Sequence, residues 1–399
     1  MSEKNNKYTP NLRFPEFSGE WEETKLGEVT RNEDSKRRPI SKIDRAVGEY
    51  PYYGANGIQD HVNDYIFDGD YLLVGEDGSV LTKENTPVIN WASGKFWVNN
   101  HAHVLSQKDD TSLKLISYLL SRVKIDGLVT GIPPKLNQDN LNTISIPLPP
   151  SPAEQDKIAS CLSVMDDLIA AQAEKVEALK EKKTGLMQQL FPQPGETTPR
   201  LRFPEFTGEW EVKKLGEILV ERKEVSVITR ELPQLSFTIA EGVIKPEDRK
   251  TNQRDFLMID KDNKRFSVTR RHDIIYNPAN VVYGAIHKNN LCDGVVSPIY
   301  KIFWTKENAD FINHLLRRPE FITQLASRAE GTVTKLKTLK AEAFLDMFVP
   351  FPITLSEQEK IADCLSILDA QIAAETEKLT ALKDYKKGLM QQLFPQPAK

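Results

Sequence analysis

Cysteine is scarce in this chain, with three among 399 residues. Three thiols cannot build a disulfide framework. Cys161 and Cys364 fall in apolar, helix-forming surroundings, so they read as buried reduced thiols of a cytoplasmic protein. Long apolar runs are missing too. No window approaches about 18 uninterrupted apolar residues, so no transmembrane helix is expected, and the polar start MSEKNNKYTP lacks the apolar core of a signal peptide. Neither sign of charge dominates: 53 Lys and Arg stand against 57 Asp and Glu. That argues against binding polyanions by bulk charge, but leaves room for local basic patches.

Catalytic motifs are equally sparse. There is no GxxxxGK[ST] phosphate loop and no GxSxG elbow. Asn277-Pro278-Ala279-Asn280 lacks the second proline and the stacking aromatic of an adenine-methyltransferase tetrapeptide. Asp248-Arg249-Lys250 has the spacing of a nuclease tripeptide but reads as a solvated turn. His101 and His103 can share one face of a strand, yet no Cys or carboxylate cluster adjoins them in the sequence, so no metal ligand set is assigned.

What the chain does contain is itself, twice. LRFPEFSGEWEETKLGEV (12–29) returns as LRFPEFTGEWEVKKLGEI (201–218). EQDKIASCLSVMDDLIAAQAEKVEALKEKKTGLMQQLFPQP (154–194) returns as EQEKIADCLSILDAQIAAETEKLTALKDYKKGLMQQLFPQP (357–397). Between these frames, residues 30–145 and 219–348 look unrelated, and the second insert is the longer. One frame holding two different inserts is the plan of a protein that reads two different things with one geometry. The C-terminus also stops where another repeat would begin, as in a circular arrangement cut open once.

The second frame segment is a long helix in each copy. Ile361, Leu365, Leu368, Ile372, Leu379, Leu382, Leu389 and Leu393 follow a heptad seam, matched by Ile158, Leu162, Met165, Ile169, Val176, Leu179, Leu186 and Leu190. Gln172 and Glu375 break the seam at one equivalent position. Ser151 or Ser356 is the expected N-cap, and Pro192 and Pro395 end the helices. About 37 residues at 1.5 Å each give a rod of roughly 55 Å. A helix with one apolar seam cannot bury it alone, so the two are expected to pack on each other, antiparallel. Gly185 and Gly388 recur in KxGLMQQLF, each at a cost of about 1 kcal/mol relative to Ala. A close approach by the other helix or by a partner's helix is the expectation there.

The inserts show short β-prone runs separated by Gly, Asp and Asn turns, at Tyr50–Val80 and Arg270–Trp304, each followed by a helical stretch near Ser112–Arg122 and Asn308–Arg328. An α/β (α+β) module per half is the reading. Basic clusters mark candidate binding loops. Lys36, Arg37 and Arg38 precede the aromatic, Gly-rich loop Tyr52-Tyr53-Gly54-Ala55-Asn56-Gly57. Lys245–Arg271 holds nine Lys or Arg against five acids. Within it, Arg249, Lys250, Arg254, Lys264, Arg265, Arg270 and Arg271 are interleaved with Asn252 and Gln253, side chains that pair with adenine edges. Solvated faces and hairpin turns are the plain alternative.

The duplicated EQxKIA…KxGLMQQLF helix, the W…KLGE segment opening each half, YYGANG followed by GEDGS, and GVVSPIY together resemble the specificity subunits of type I restriction-modification systems, over residues 12–397. The resemblance implies two target recognition domains (12–150 and 201–353) and two antiparallel spacer helices (151–192 and 354–395) in a pseudo-two-fold repeat. It implies a non-catalytic subunit that binds double-stranded DNA at a bipartite, asymmetric site and directs adenine methylation or restriction. Two methyltransferase subunits and restriction subunits are the implied partners. No cofactor is expected in this chain; S-adenosylmethionine, Mg and ATP belong to those partners. TGIPPKL (130–136) and GTVTKL (331–336) match the family segment before the spacer helix, which makes Lys135 and Lys335 candidate phosphate contacts. Gly185 and Gly388 become candidates for the partner interface. A coiled-coil adaptor with two protein-binding heads is the competing reading, as is a subunit of a system with fused modification and cleavage.

Overall fold

The computed structural model describes residues 8–249, 264–329 and 338–395. The chain forms two compact units. The first comprises residues 1–173 and 378–399, the second residues 174–377. Two 39-residue helices, α1 (Pro152–Leu190) and α2 (Leu355–Leu393), each give one part to the first unit and the rest to the second.

Inside each unit the helices run antiparallel, as the ion pairs show. Lys386 of α2 pairs with Asp166 of α1 in the first unit, and Lys183 of α1 pairs with Asp369 of α2 in the second. The seam residues are buried or half-buried: Leu162 and Leu365 are fully enclosed, while Val164 and Ile367, off the seam, are 57% and 60% exposed. Glu375, at the seam break, pairs with Lys175. The caps correct one expectation. The Ser151 hydroxyl accepts from the Glu154 N–H in α1, but in α2 the equivalent acceptor is Thr354, bonded by the Glu357 N–H at 3.3 Å. Ser356 lies inside the first turn instead. The two caps therefore have the same spacing, three residues before the Glu of the EQ pair.

The duplicated frame folds the same way twice. Glu22–Lys25 pairs antiparallel with Ser145–Leu148, and Glu211–Lys214 with Phe348–Phe351. The Leu12 N–H donates to the Gln392 carbonyl, and the Leu201 N–H to the Gln189 carbonyl, both at 2.9 Å. The same contact is thus made once along the chain and once by the returning C-terminal helix. Phe394 packs on Trp21 in the first unit and Phe191 on Trp210 in the second. Each joins a core that includes Leu26, Leu72, Leu105 and Ile158 in one unit, and Leu215, Ile274, Phe303 and Ile361 in the other.

The inserts share more than their sequences suggest. In the first unit, an antiparallel sheet has the order Thr30–Asn32, Ala102–Gln107, Tyr71–Gly75, Ile89–Ala92. In the second, the order Val220–Glu221, Lys301–Trp304, Ile274–Tyr276, Ile286–Lys288 follows the same path. A second sheet of the first unit carries the hairpin Val47–Gly54/Gly57–Val62, whereas the second unit builds a three-stranded sheet from Val225–Ser226, Phe266–Thr269 and Gly294–Val296. The helical stretch of the first insert is Leu113–Leu120. The second is divided into Ala309–Leu316 and Pro319–Arg328, because Pro319 starts a new helix. Cys161, Cys292 and Cys364 form no disulfide and are half-buried rather than buried. No helix of the described residues is long and apolar enough to cross a membrane.

Candidate nucleic-acid interface

Three loops singled out in the first half of the sequence meet in the first unit. The hairpin turn Ala55-Asn56 leaves Asn56 exposed and is followed by Gly57 at φ +98°, a backbone conformation that suits glycine. The turn lies against GEDGS: a Cβ on Gly75 would meet the Ser79 carbonyl at 2.3 Å and the Ala55 carbonyl at 3.5 Å. Only glycine fits that gap. GEDGS is joined in turn to TGIPPKL, since the Leu136 N–H donates to the Glu76 carbonyl at 2.8 Å and Asp77 bridges Lys135. Thr130 and Lys135 exchange backbone hydrogen bonds at 2.9 and 2.7 Å, closing a tight loop whose tip, Ile132, is fully exposed.

A charged node fixes these loops from behind. Glu76 accepts from the Arg37 guanidinium at 2.5 Å and from the Lys135 ammonium at 3.0 Å. Asp34 binds His103 Nδ1 at 2.6 Å and Arg37 at 3.3 Å, and accepts the Val104 N–H at 2.8 Å. Arg37 also donates to the Ala102 carbonyl at 2.8 Å. Burial opposes the charge on Asp34, but the bonds from His103 and Val104 outweigh it and hold the carboxyl below its usual range. Burial likewise opposes the charge on Glu76, which Arg37 and Lys135 hold down. The hydrogen bond to Glu76 raises the Lys135 pKa, so that side chain stays cationic.

Ligand atoms of Asp34, Glu76 and His103 lie within 4.8 Å of one another, the arrangement of a small metal site. His103 Nε2 is already bonded to the Leu136 carbonyl at 2.8 Å and Nδ1 to Asp34. Glu76 is held by two cations. A divalent ion would have to displace those bonds, so the donor set fits an internal ion-pair node better than a metal. His101 does not join it; its ring bonds Asp77.

Two of the expected contacts are corrected by this geometry. Tyr52 is 1% exposed and belongs to the core, with its hydroxyl at the Ile40 backbone. Arg37 is spent on Glu76, Asp34 and Ala102, and serves the loops from inside. Lys36 is exposed and pairs with Glu33 at 2.7 Å, and Arg38 is exposed. Tyr53 is half-buried, edge-on to Phe96. Lys135 is half exposed at the node's rim.

The second unit divides its basic cluster. Arg249 and Lys264 line one cavity. Arg270 and Arg271 line another, where Arg270 pairs with Glu224 at 3.0 Å and Asp293 at 3.1 Å. Arg265 is exposed. Lys250, Asn252, Gln253, Arg254 and Lys335 lie outside the described residues. At both Gly185 and Gly388 an added Cβ would meet nothing within 4 Å, so no other described part of the chain closes on these glycines. Glu76 and Asp34 carry little sequence signal as organisers, because Val104 lies 70 residues from Asp34 and Arg37 lies 39 from Glu76.

The family model for the type I restriction modification DNA specificity domain matches residues 18–181. The chain is 34% identical over 150 residues to a provisionally named type I restriction enzyme specificity subunit of Haemophilus influenzae, a match spanning 37% of each chain. It is 25% identical over 426 aligned positions to the MjaVIII specificity subunit of Methanocaldococcus jannaschii, covering 98% of this chain and 95% of that one. The crystal structure of the type I restriction-modification S subunit of M. genitalium has the same fold, with a TM-score of 0.66 at 16% identity over 97% of this chain and 99% of that one. With the duplicated frame and the convergent loops, these likenesses make the chain similar, over most of its length, to type I restriction-modification DNA specificity subunits.

Proposed function

We propose that each unit reads one half of a bipartite, asymmetric double-stranded DNA site, and that the chain thereby directs adenine methylation or restriction by partner subunits. Two methyltransferase subunits and restriction subunits carry the chemistry, with their S-adenosylmethionine, Mg and ATP; this chain contributes recognition. The supporting observation is the repeated scaffold. Both units have the same frame contacts and the same four-strand order, yet they carry different loops on it. Reading two different half-sites needs that combination. The long helices, on this reading, set the unspecified gap between the half-sites.

The test exchanges residues 30–145 for the corresponding insert of another specificity subunit and maps methylated positions by sequencing. One half of the motif should change and the other stay. If both halves changed together, separate reading by the two units would be wrong.

A further inference from the structure

Asn277-Pro278-Ala279-Asn280, too incomplete for methyltransferase chemistry, places Asn277, Ala279 and Asn280 on a groove of the second unit. This cavity of about 680 Å³ is walled by Gln234, Ser236, Thr238, Arg249, Lys264 and Tyr300 along with the two asparagines. Among the described residues no acid lines it, although acids outnumber bases in the chain. The neighbouring cavity at Arg270 differs in kind, since Asp273, Glu307, Asp310 and Glu359 are mixed with its cations.

The asparagines are held on a stiff turn. The Ala279 N–H donates to Asn277 Oδ1 at 3.0 Å, and the Asn280 N–H to the Asn277 carbonyl at 3.1 Å. The Tyr283 N–H returns to the Asn280 carbonyl at 2.9 Å, and Gly284, at φ +83°, ends the turn. The Leu339 N–H anchors the Pro278 carbonyl at 3.1 Å. With its Oδ1 taken, Asn277 keeps an amide NH₂ to donate. The Asn280 carboxamide bonds no described group, so its donor and acceptor are both available. Lys264 sits over the Phe266 ring at 5.8 Å, on the cationic rim. A groove with pre-set carboxamides inside, cations at the rim and no carboxylate among its described lining residues is complementary to base edges flanked by phosphates.

We infer that this groove is where the second unit reads DNA, with Asn280 contacting a base edge, adenine by its donor–acceptor pair, and Lys264 a flanking phosphate. The inference rests on the DNA-reading function proposed above and assigns the base contact to Asn280, outside the basic run, with Lys264 of that run beside it.

A randomised duplex pool selected on the full-length chain, purified with the subunits that accompany it, tests this. The parent should yield a two-part motif. Asn280→Ala should lose its preference at an A·T pair in one half only, with about ten- to a hundredfold weaker binding of the parent motif. Lys264→Ala should weaken all sequences alike and reduce the salt slope by about 0.9. Asn280→Asp, which keeps the size but places a negative charge in the groove, should lose more than Asn280→Ala; unchanged thermal unfolding confirms that the variants are folded. A parent motif that survives Asn280→Ala, Asn280→Asp and Lys264→Ala unaltered would overturn the groove while leaving DNA reading intact. A parent chain that selects no motif would overturn the DNA reading itself, and the groove with it.

Discussion

Arg13 grips Glu154 with two hydrogen bonds, Nε to Oε1 at 2.8 Å and Nη2 to Oε2 at 2.7 Å, joining the head motif to the start of α1. Trp21 Nε1 donates to the same carboxylate at 3.4 Å. Arg202, Glu357 and Trp210 repeat the arrangement at 2.7, 2.9 and 3.1 Å. Both carboxylates are buried, at 1% and 2% exposure. Removing one leaves an Arg and an indole N–H without their acceptor. Glu154→Ala and Glu357→Ala should each cost about 3–5 kcal/mol, in urea unfolding followed by tryptophan fluorescence. Losses below about 1 kcal/mol in both would show that the pair is incidental to the frame.

This pair also shows why the repeats were legible and the inserts were not. LRFPEF, W and EQ recur because their members bind one another: Lys157 and Lys360 lie 4.9 Å from the Phe14 and Phe203 rings, and Gln155 and Gln358 accept the N–H groups of Ser112 and Asn308 at the starts of the insert helices Leu113–Leu120 and Ala309–Leu316. Such contacts tolerate little change, so both copies kept them. The heptad seam was readable for a similar reason, since each apolar residue has a place on the partner helix. The common sheet order of the inserts was hidden. Backbone hydrogen bonds fix a strand order while Tyr71–Gly75 and Ile274–Tyr276 fill the core with different side chains. Charge alone could not separate Arg37, turned inward by Glu76, from Arg38 beside it, because the acid that decides lies 39 residues away.

Arg37 and Arg38 should therefore separate under substitution. Arg37→Ala breaks a largely buried ion pair and should cost about 3 kcal/mol or more of stability. Arg38→Ala should leave stability within about 0.5 kcal/mol, as surface changes do, and weaken DNA binding across all sequences. The check is thermal unfolding beside a salt titration of binding. Equal stability losses for the two variants would contradict the node.

Acid should loosen the second unit through two histidines. Burial pushes His287 down to about 4, as it does His314, which lies 4.0 Å from Asp369. Both are lowered from an ordinary value of 6.5, so the unfolded chain binds more protons between about pH 6.5 and 4. Their contribution is complete above that window and is lost as pH falls through it, at about 1.4 kcal/mol per pKa unit. In the first unit Tyr118 occupies the equivalent helix position and donates to Asp166 at 2.6 Å, with no proton to gain in this range. His314→Tyr should flatten the pH dependence of second-unit unfolding between pH 7 and 5. A slope identical to the parent's would remove His314 from the account.

Gly185 and Gly388 pose the sharpest question about assembly. Each lies within a long helix, where glycine is about 1 kcal/mol less favourable than alanine, and at neither would a Cβ touch anything within 4 Å. No contact among the described residues repays that cost, which is the reason to propose that a methyltransferase subunit closes on them. Gly185→Ala with Gly388→Ala should raise thermal stability by up to about 1 kcal/mol per site. Leucine at both positions should still fold, because the space is open, but should reduce the mass of the assembled complex measured by light scattering. Full-size assembly with both leucines would show that no partner approaches these positions, and would leave the glycines as sites where the isolated chain gains stability without loss.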